Sequence, residues 1–240
     1  MPVFTHPLAT RTYEVDIHTV DLLVPPNHAF PRPRPFPRLH PYQELAARQL
    51  MDQKNSALIA DYFSGGIEIA SETASTYLDQ EDIKRVIILT RPSSLTHWSY
   101  LTNVMGYTDV WVPSGAPGQR WRNYATCNAR FFVVPYSLLS RDVEALFPLM
   151  ASSLLILDDV SQLRTRNATR TNDAHRLSQC AAARLTVIQA PHQYNMDEWN
   201  LLMWTALDPT RQDRETTCAL ARHLRGMTPP AGVVTVTSKD

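Results

Sequence analysis

The sequence predicts an α/β fold with a mainly parallel sheet covered by helices on both faces. Three observations carry that expectation. Five short runs rich in branched residues, Ala57-Leu58-Ile59-Ala60, Val86-Ile87-Ile88-Leu89, Phe131-Phe132-Val133-Val134, Leu154-Leu155-Ile156-Leu157 and Leu185-Thr186-Val187-Ile188, are nearly continuous in hydrophobicity, as strands buried on both faces are. Helix-length segments separate them, and a parallel neighbour needs a crossover of that length. With 240 residues, 44% of them hydrophobic, the chain can bury a sizeable core in one domain plus extensions.

Along the chain, nine of the 18 prolines fall within residues 1–41. Residues 12–20 alternate in strand fashion and predict an edge strand. Pro31-Arg32-Pro33-Arg34-Pro35-Phe36-Pro37-Arg38 then alternates proline with bulky or basic residues. Such a stretch is polyproline-like and poor in internal hydrogen bonds. Residues 1–38 are therefore read as a proline-rich extended arm, either a linker outside the core or a strap reaching across the lobe or to a neighbour. From Pro41 onward, Tyr42, Leu45, Ala46, Gln49 and Leu50 recur near helical spacing. The five buried strands follow. Residues 196–207 read as a helix with Trp199, Leu202, Met203 and Ala206 facing the core, and residues 211–225 as an amphipathic helix. Residues 227–240 read as a loose tail with a short strand at 233–236. The division is 1–38 arm, 39–209 main lobe and 210–240 helix and tail, with no internal repeat.

After the first buried strand comes Asp61-Tyr62-Phe63-Ser64-Gly65-Gly66-Ile67-Glu68, which has the outline of a phosphate-binding loop. Taken alone, Ser64-Gly65-Gly66 is more often an ordinary turn. A working loop surrounds phosphate oxygens with backbone N–H groups, sets a lysine against the β/γ charge and holds magnesium with a Ser or Thr hydroxyl. Here Ile67 supplies no charge and Glu68 supplies the opposite one. At roughly 4 Å and an effective dielectric of about 20, a carboxylate facing one phosphate charge costs on the order of 4 kcal/mol.

The order of the remaining segments adds a resemblance. Leu39-His40-Pro41-Tyr42-Gln43 resembles the opening "L-R-P-Y-Q" of helicase-like ATPase lobes, and Arg91-Pro92-Ser93-Ser94-Leu95-Thr96-His97-Trp98 resembles "P-x-S-L-x-x-W". Pro135-Tyr136-Ser137-Leu138-Leu139 resembles "T-Y-S-L-L", and Leu157-Asp158-Asp159-Val160-Ser161-Gln162-Leu163 resembles the Walker B strand "D-E-A-H" or "D-E-A-Q". Arg184 to Trp199 resembles "R-x-x-L-T-G-T-P-I-Q-N-N-x-x-E-L". Over residues 39–209 the chain thus resembles a degenerate N-terminal RecA-like lobe of the Swi/Snf-type ATPases of helicase superfamily 2. The resemblance implies a three-layer RecA-like P-loop fold in a single lobe.

By that resemblance, the degenerate nucleotide site comprises Ser64, Gly65, Gly66, Ile67, Glu68, Asp158 and Asp159. The Walker lysine maps to Ile67, the adjacent threonine to Glu68, and the first loop glycine to Ser64. The metal-linked acidic pair maps to Asp158 and Asp159, so Asp159 is a shortened glutamate. Misplacing a catalytic group by about 1 Å costs on the order of a hundredfold in rate. Ile188-Gln189-Ala190 stands where the family has "T-G-T". Catalytic residues, resident metal and cofactor are accordingly expected to be none. The family closes a second lobe over the nucleotide, and the stretch after Pro209 is far too short for one.

Composition narrows the class further. Lys and Arg together number 23, as do Asp and Glu, so no global field favours nucleic acid. Cys127, Cys180 and Cys218 are far apart, without metal-ligand spacing, and suit reduced thiols in an intracellular setting, nuclear, cytoplasmic or within a viral assembly. No stretch is apolar and long enough to span a bilayer, and the N-terminus lacks a signal-peptide form. The Arg164, Arg166, Arg170, Arg176 and Arg184 series reads as a solvated basic face. His97 and His192 are placed on loops of the crevice and, with Arg32, Arg34 and Phe36, are candidate interaction residues. The leading expectation is a pseudoenzyme lobe binding a protein partner in a larger assembly. The alternatives are a nucleic-acid-associated accessory subunit without hydrolysis, or a residual ATPase completed by a partner lobe.

Overall fold

The computed structural model describes residues 39–51, 54–60, 64–104, 106–107, 109–163, 165 and 168–189, and the backbone of 13–16 and 233–237. In chain order the elements are β1 (Tyr13–Asp16), α1 (Pro41–Met51), β2 (Asn55–Ala60), α2 (Gly66–Asp79), β3 (Arg85–Thr90), α3 (Leu95–Val104), β4 (Val110–Trp111), α4 (Pro117–Thr126), β5 (Phe131–Pro135), α5 (Tyr136–Leu146), β6 (Ser153–Asp158), α6 (Thr169–Cys180), β7 (Ala183–Gln189) and β8 (Val233–Thr237). The eight strands form one sheet in the order β1-β8-β2-β7-β6-β3-β5-β4, and every adjacent pair is parallel.

The near-continuous hydrophobicity of the central strands is explained by helices on both faces. On one face Leu58, Ile88, Val133, Ile156 and Leu185 meet Ala46, Leu50, Ile69, Ala70 and Trp98 of α1, α2 and α3. On the other, Ile59, Leu89, Phe132, Leu155 and Ile188 meet Tyr124, Leu139, Val143 and Leu177 of α4, α5 and α6. Successive strand residues point to opposite sides, so one strand feeds two cores. The expected edge strand near residues 12–20 forms as β1. The strand expected at 233–236 also forms, and it occupies an interior place between β1 and β2. The helices expected at 196–207 and 211–225 lie outside the described residues.

Prolines punctuate the layers. Pro92 opens a short 3-10 turn that runs into α3, Pro117 stands in the first turn of α4, and Pro135 ends β5 immediately before α5. A proline lacks the N–H that the first helical turn leaves unpaired, so it starts a helix without cost. The consecutive strands β2 and β3 are separated in the sheet by β7 and β6. Such a reversal opens a crevice at the carboxyl ends of the strands, where α/β sheets place ligands.

The arginines read as one solvated basic face are divided among different roles. Arg184 is buried, donating from Nε to Asn55 Oδ1 at 2.9 Å and from Nη1 to the Ser178 carbonyl at 3.1 Å. Arg176 pairs with Glu144 at 3.0 Å over the Phe147 ring, and Arg170 reaches Gln162 at 3.4 Å. Arg164 and Arg166 lie outside the described residues. A buried ion pair ties α4 to α5: Arg120 donates from Nε and Nη2 to the two Asp142 oxygens at 2.8 and 2.7 Å. Its Nη1 caps the Gly115 carbonyl at 2.7 Å, and Tyr124 Oη donates to Asp142 at 3.2 Å. Removing one partner of such a pair leaves the other charge stranded, so Asp142→Ala should lower stability by about 3–5 kcal/mol, measured by urea unfolding.

Candidate functional site

The loop after β2 leads into α2 through two glycines with different tasks. Gly65 is in the left-handed region at φ 77°. A Cβ there would fall 2.0 Å from Gln43 Nε2. Gly66 is the first residue of α2, and a Cβ on it would meet Ala60 Cβ at 3.1 Å and Val187 Cγ1 at 3.6 Å. The absent side chains therefore let the helix start directly against β2 and β7. Tyr42 Oη and Gln43 Nε2 both donate to the Ser64 carbonyl, each at 3.2 Å, so α1 anchors the loop. Ile67 is partly buried against the core. Glu68 lies in the first turn of α2, with Oε2 3.4 Å from the Cβ position of Gly65, so its carboxylate folds back over the loop. A helix N-terminus favours negative charge, and here the chain supplies that charge itself.

Asp158 ends β6 and is 1% exposed. Its Oδ2 accepts hydrogen bonds from Thr90 Oγ1 at 2.6 Å and Trp98 Nε1 at 2.7 Å, while Oδ1 has no hydrogen-bond partner among the described residues. Burial raises the Asp158 carboxyl above its ordinary range, against the two donated hydrogen bonds, and the neighbouring Asp159 charge pushes the same way as burial. Asp159 takes a left-handed conformation, φ 54°, which a short polar side chain tolerates. Its Oδ1 accepts from Ser161 Oγ at 2.7 Å. Arg91 Nε lies 2.7 Å from Asp159 Oδ2, but the N–H is not aligned on the oxygen, so this contact is Coulombic rather than a directed hydrogen bond.

His97 Nε2 lies 3.5 Å from Glu68 Oε1. The expectation of a loop position for His97 is corrected: it lies in the first turn of α3, because the 3-10 turn at Pro92 passes directly into that helix. One short segment, residues 90–98, thus contacts all three carboxylates of the crevice: Thr90 and Trp98 hold Asp158, Arg91 meets Asp159, and His97 meets Glu68. Ser64, Gly65, Gly66, Ile67 and Glu68 lie at the carboxyl end of β2, with Asp158 and Asp159 at that of β6, as the motif order implies. His192, Arg32, Arg34 and Phe36 lie outside the described residues. No helix of the described residues is long and apolar enough to cross a membrane.

No protein-family model matches the chain, and no curated protein sequence matches it. Solved structures do. The Sulfolobus solfataricus SWI2/SNF2 ATPase core in complex with double-stranded DNA superposes with a TM-score of 0.69 at 12% identity, over 88% of this chain and 47% of that one. The Pyrococcus furiosus Hef helicase domain superposes with a TM-score of 0.56 at 18% identity, over 71% of this chain and 36% of that one. The chain therefore has the fold of a helicase-like RecA-like lobe, and it spans about half the length of the first of these structures or less. The resemblance read from six short motifs is matched at the level of the fold.

Two variants separate the roles of Asp158. Asp158→Asn keeps an oxygen for Thr90 and Trp98, whereas Asp158→Ala strands both donors and should cost about 2–5 kcal/mol. The folded-state pKa of Asp158 is raised, so its contribution to stability is fully present below the unfolded carboxyl pKa and declines as pH rises through the folded value. Asp158→Asn should therefore gain stability relative to the parent between acid and neutral pH, in paired melts at stepped pH. A loss on going to neutral pH would show that the ionised carboxylate is the favoured form in the fold.

Proposed function

We propose that this chain is a helicase-like lobe without ATP hydrolysis that serves as a protein-binding or structural module in a larger assembly. The observation that carries the reading is the engagement of Asp158, Asp159 and Glu68 by side chains of residues 90–98. In this fold those positions face nucleotide and magnesium, and here each carboxylate already has a contact within the lobe. Ile67 and Glu68 stand where a phosphate loop would have its ammonium and its hydroxyl, and supply neither. Asp159 adds a carboxylate one methylene short of glutamate, further tilted by its left-handed backbone. The two cores and the glycine-dependent approach of α2 to the sheet need none of the absent chemistry, which suits retention of the fold for contacts. The proline- and arginine-rich residues 25–38 belong to the same proposal as a second contact element.

The test is nucleotide binding. A ligand at a hundred times its dissociation constant stabilises by about 2.7 kcal/mol, so millimolar Mg-ATP should leave the melting temperature unchanged. An upward shift abolished by Asp158→Asn would overturn the reading in favour of a residual ATPase. The Sulfolobus core was solved on double-stranded DNA, which gives the accessory-subunit alternative its specific motive. Duplex binding that weakens steeply with salt, as phosphate contacts do, would favour that alternative. Absence of such binding, together with assembly lost on combined Arg32→Ala, Arg34→Ala and Phe36→Ala substitution, which spares β1, would favour the protein-binding module.

A further inference from the structure

We infer that β8 is a latch for β1: withdrawing residues 233–237 from the sheet releases β1, whereas losing β1 leaves β8 in place. The device follows from the order of the strands. β8 lies between β1 and β2. On one side Tyr13 stands opposite Val234 and Asp16 opposite Thr237, and on the other Ala57 stands opposite Val233 and Ala60 opposite Val236. Among the described residues β1 has no second strand neighbour. β2, by contrast, is flanked by β7 as well as β8 and is buried from Ser56 to Ala60.

The sequences of the two strands are unequal in the same sense. Val233-Val234-Thr235-Val236-Thr237 is β-branched at every position, the composition that fits a pleated interior strand. Tyr13-Glu14-Val15-Asp16 carries two acids, which strands disfavour and which edge strands use against further pairing. β8 therefore has the means to stay on β2 alone, and β1 has little of its own. The pairing joins segments distant in sequence, so no hairpin turn holds β1 in register. α1 lies against both strands. That contact does not replace the ladder, because an extended backbone beneath a helix still needs its peptide groups paired.

Two strands distant in sequence thus dock as a pair with a fixed order of release. Such a unit opens at a lower free energy than the whole lobe, as locally unfolding elements do. It also couples the two flanks of the lobe. The chain is held up to Asp16 by β1 and again from Pro41 by α1, so β8 decides whether the first of these two anchors holds. Residues 25–38 lie between the anchors. The coupling stands independently of the module reading, which assigns those residues a partner.

The test is residue-resolved amide hydrogen exchange of the full chain in graded, sub-denaturing urea. The amides of residues 13–16 that donate to β8 are expected to exchange with those of 233–237 or before them, and well before those of 86–89 in β3. Successive residues of a parallel strand address opposite neighbours, so Val234→Pro combined with Thr235→Pro breaks both ladders of β8. That variant should speed exchange at 13–16 at least about tenfold, with 86–89 unchanged. Glu14→Pro combined with Val15→Pro should release 13–16 and leave protected the β8 amides that donate to β2. Protection of β1 that outlasts β8 or survives the β8 prolines would overturn the inference, as would its absence in the unaltered chain. Loss of the β8 amides' protection on β2 in the β1 variant would overturn it too. Should the β8 variant unfold the whole lobe, the order of exchange in the unaltered chain and the β1 variant decide the matter. Melting with Mg-ATP tests the module reading, and none of these outcomes bears on it.

Discussion

A carboxylate cannot stay buried without donors, and at Asp158 that constraint organises the whole carboxyl edge of the sheet. Its two donors come from Thr90, the last residue of β3, and from Trp98, four residues into α3. To deliver both, the chain must leave β3, turn at Pro92 and enter α3 at a fixed angle. That same turn presents Arg91 to Asp159 and His97 to Glu68. Trp98 is fully buried in the first core, so the indole that donates to Asp158 also fixes α3 on the sheet. Hydrogen bonding, packing and charge pairing are therefore not separable at this edge. Displacing any one alters the geometry of the others.

The second organising constraint is steric. Gly66 lets α2 begin 3.1 Å from the Ala60 side chain, measured from the Cβ it lacks, and Gln43 occupies the space above Gly65. A lysine in place of Ile67 would stand in this same turn, with Glu68 one residue away. Gly65 and Gly66 thus answer packing demands of their own, so their presence says little about ligand, whereas the side chains beside them say more. This is why the likeness to helicase structures, at 12% and 18% identity, carries the fold while chemistry is argued from residues.

Much of the fold was legible because strands buried on both faces are apolar along their length, and runs such as Val86 to Leu89 are too short and too rich in β-branched residues for a buried helix. The glycine pair and Asp158 were legible as a set because strand, loop and acid recur in a fixed order. The contacts that define the crevice were not. Thr90 and Trp98 lie 68 and 60 residues from Asp158 in sequence, and nothing local in them announces a shared acceptor. The Arg120–Asp142 pair was missed for the same reason, since each residue alone reads as surface charge. His97 lies in the first turn of α3 rather than on a crevice loop, because the 3-10 turn at Pro92 passes straight into the helix. The interior position of β8 was hidden as well, because β2 and β8 are far apart in the chain and pairing order leaves no periodic mark.

Charge sign is the final step. The start of α2 carries the partial positive charge of a helix terminus, which in a nucleotide-binding lobe is completed by phosphate. Glu68 places a carboxylate in that field, one that travels with the chain and need not be captured from solution. Beside that terminus the edge carries Glu68 next to the His97 imidazole, Asp158 held by Thr90 and Trp98, and Asp159 beside Arg91. In the proposed reading, Glu68 sets a carboxylate where a phosphate would otherwise be drawn to the helix terminus, and Ile67 offers no cation to offset it.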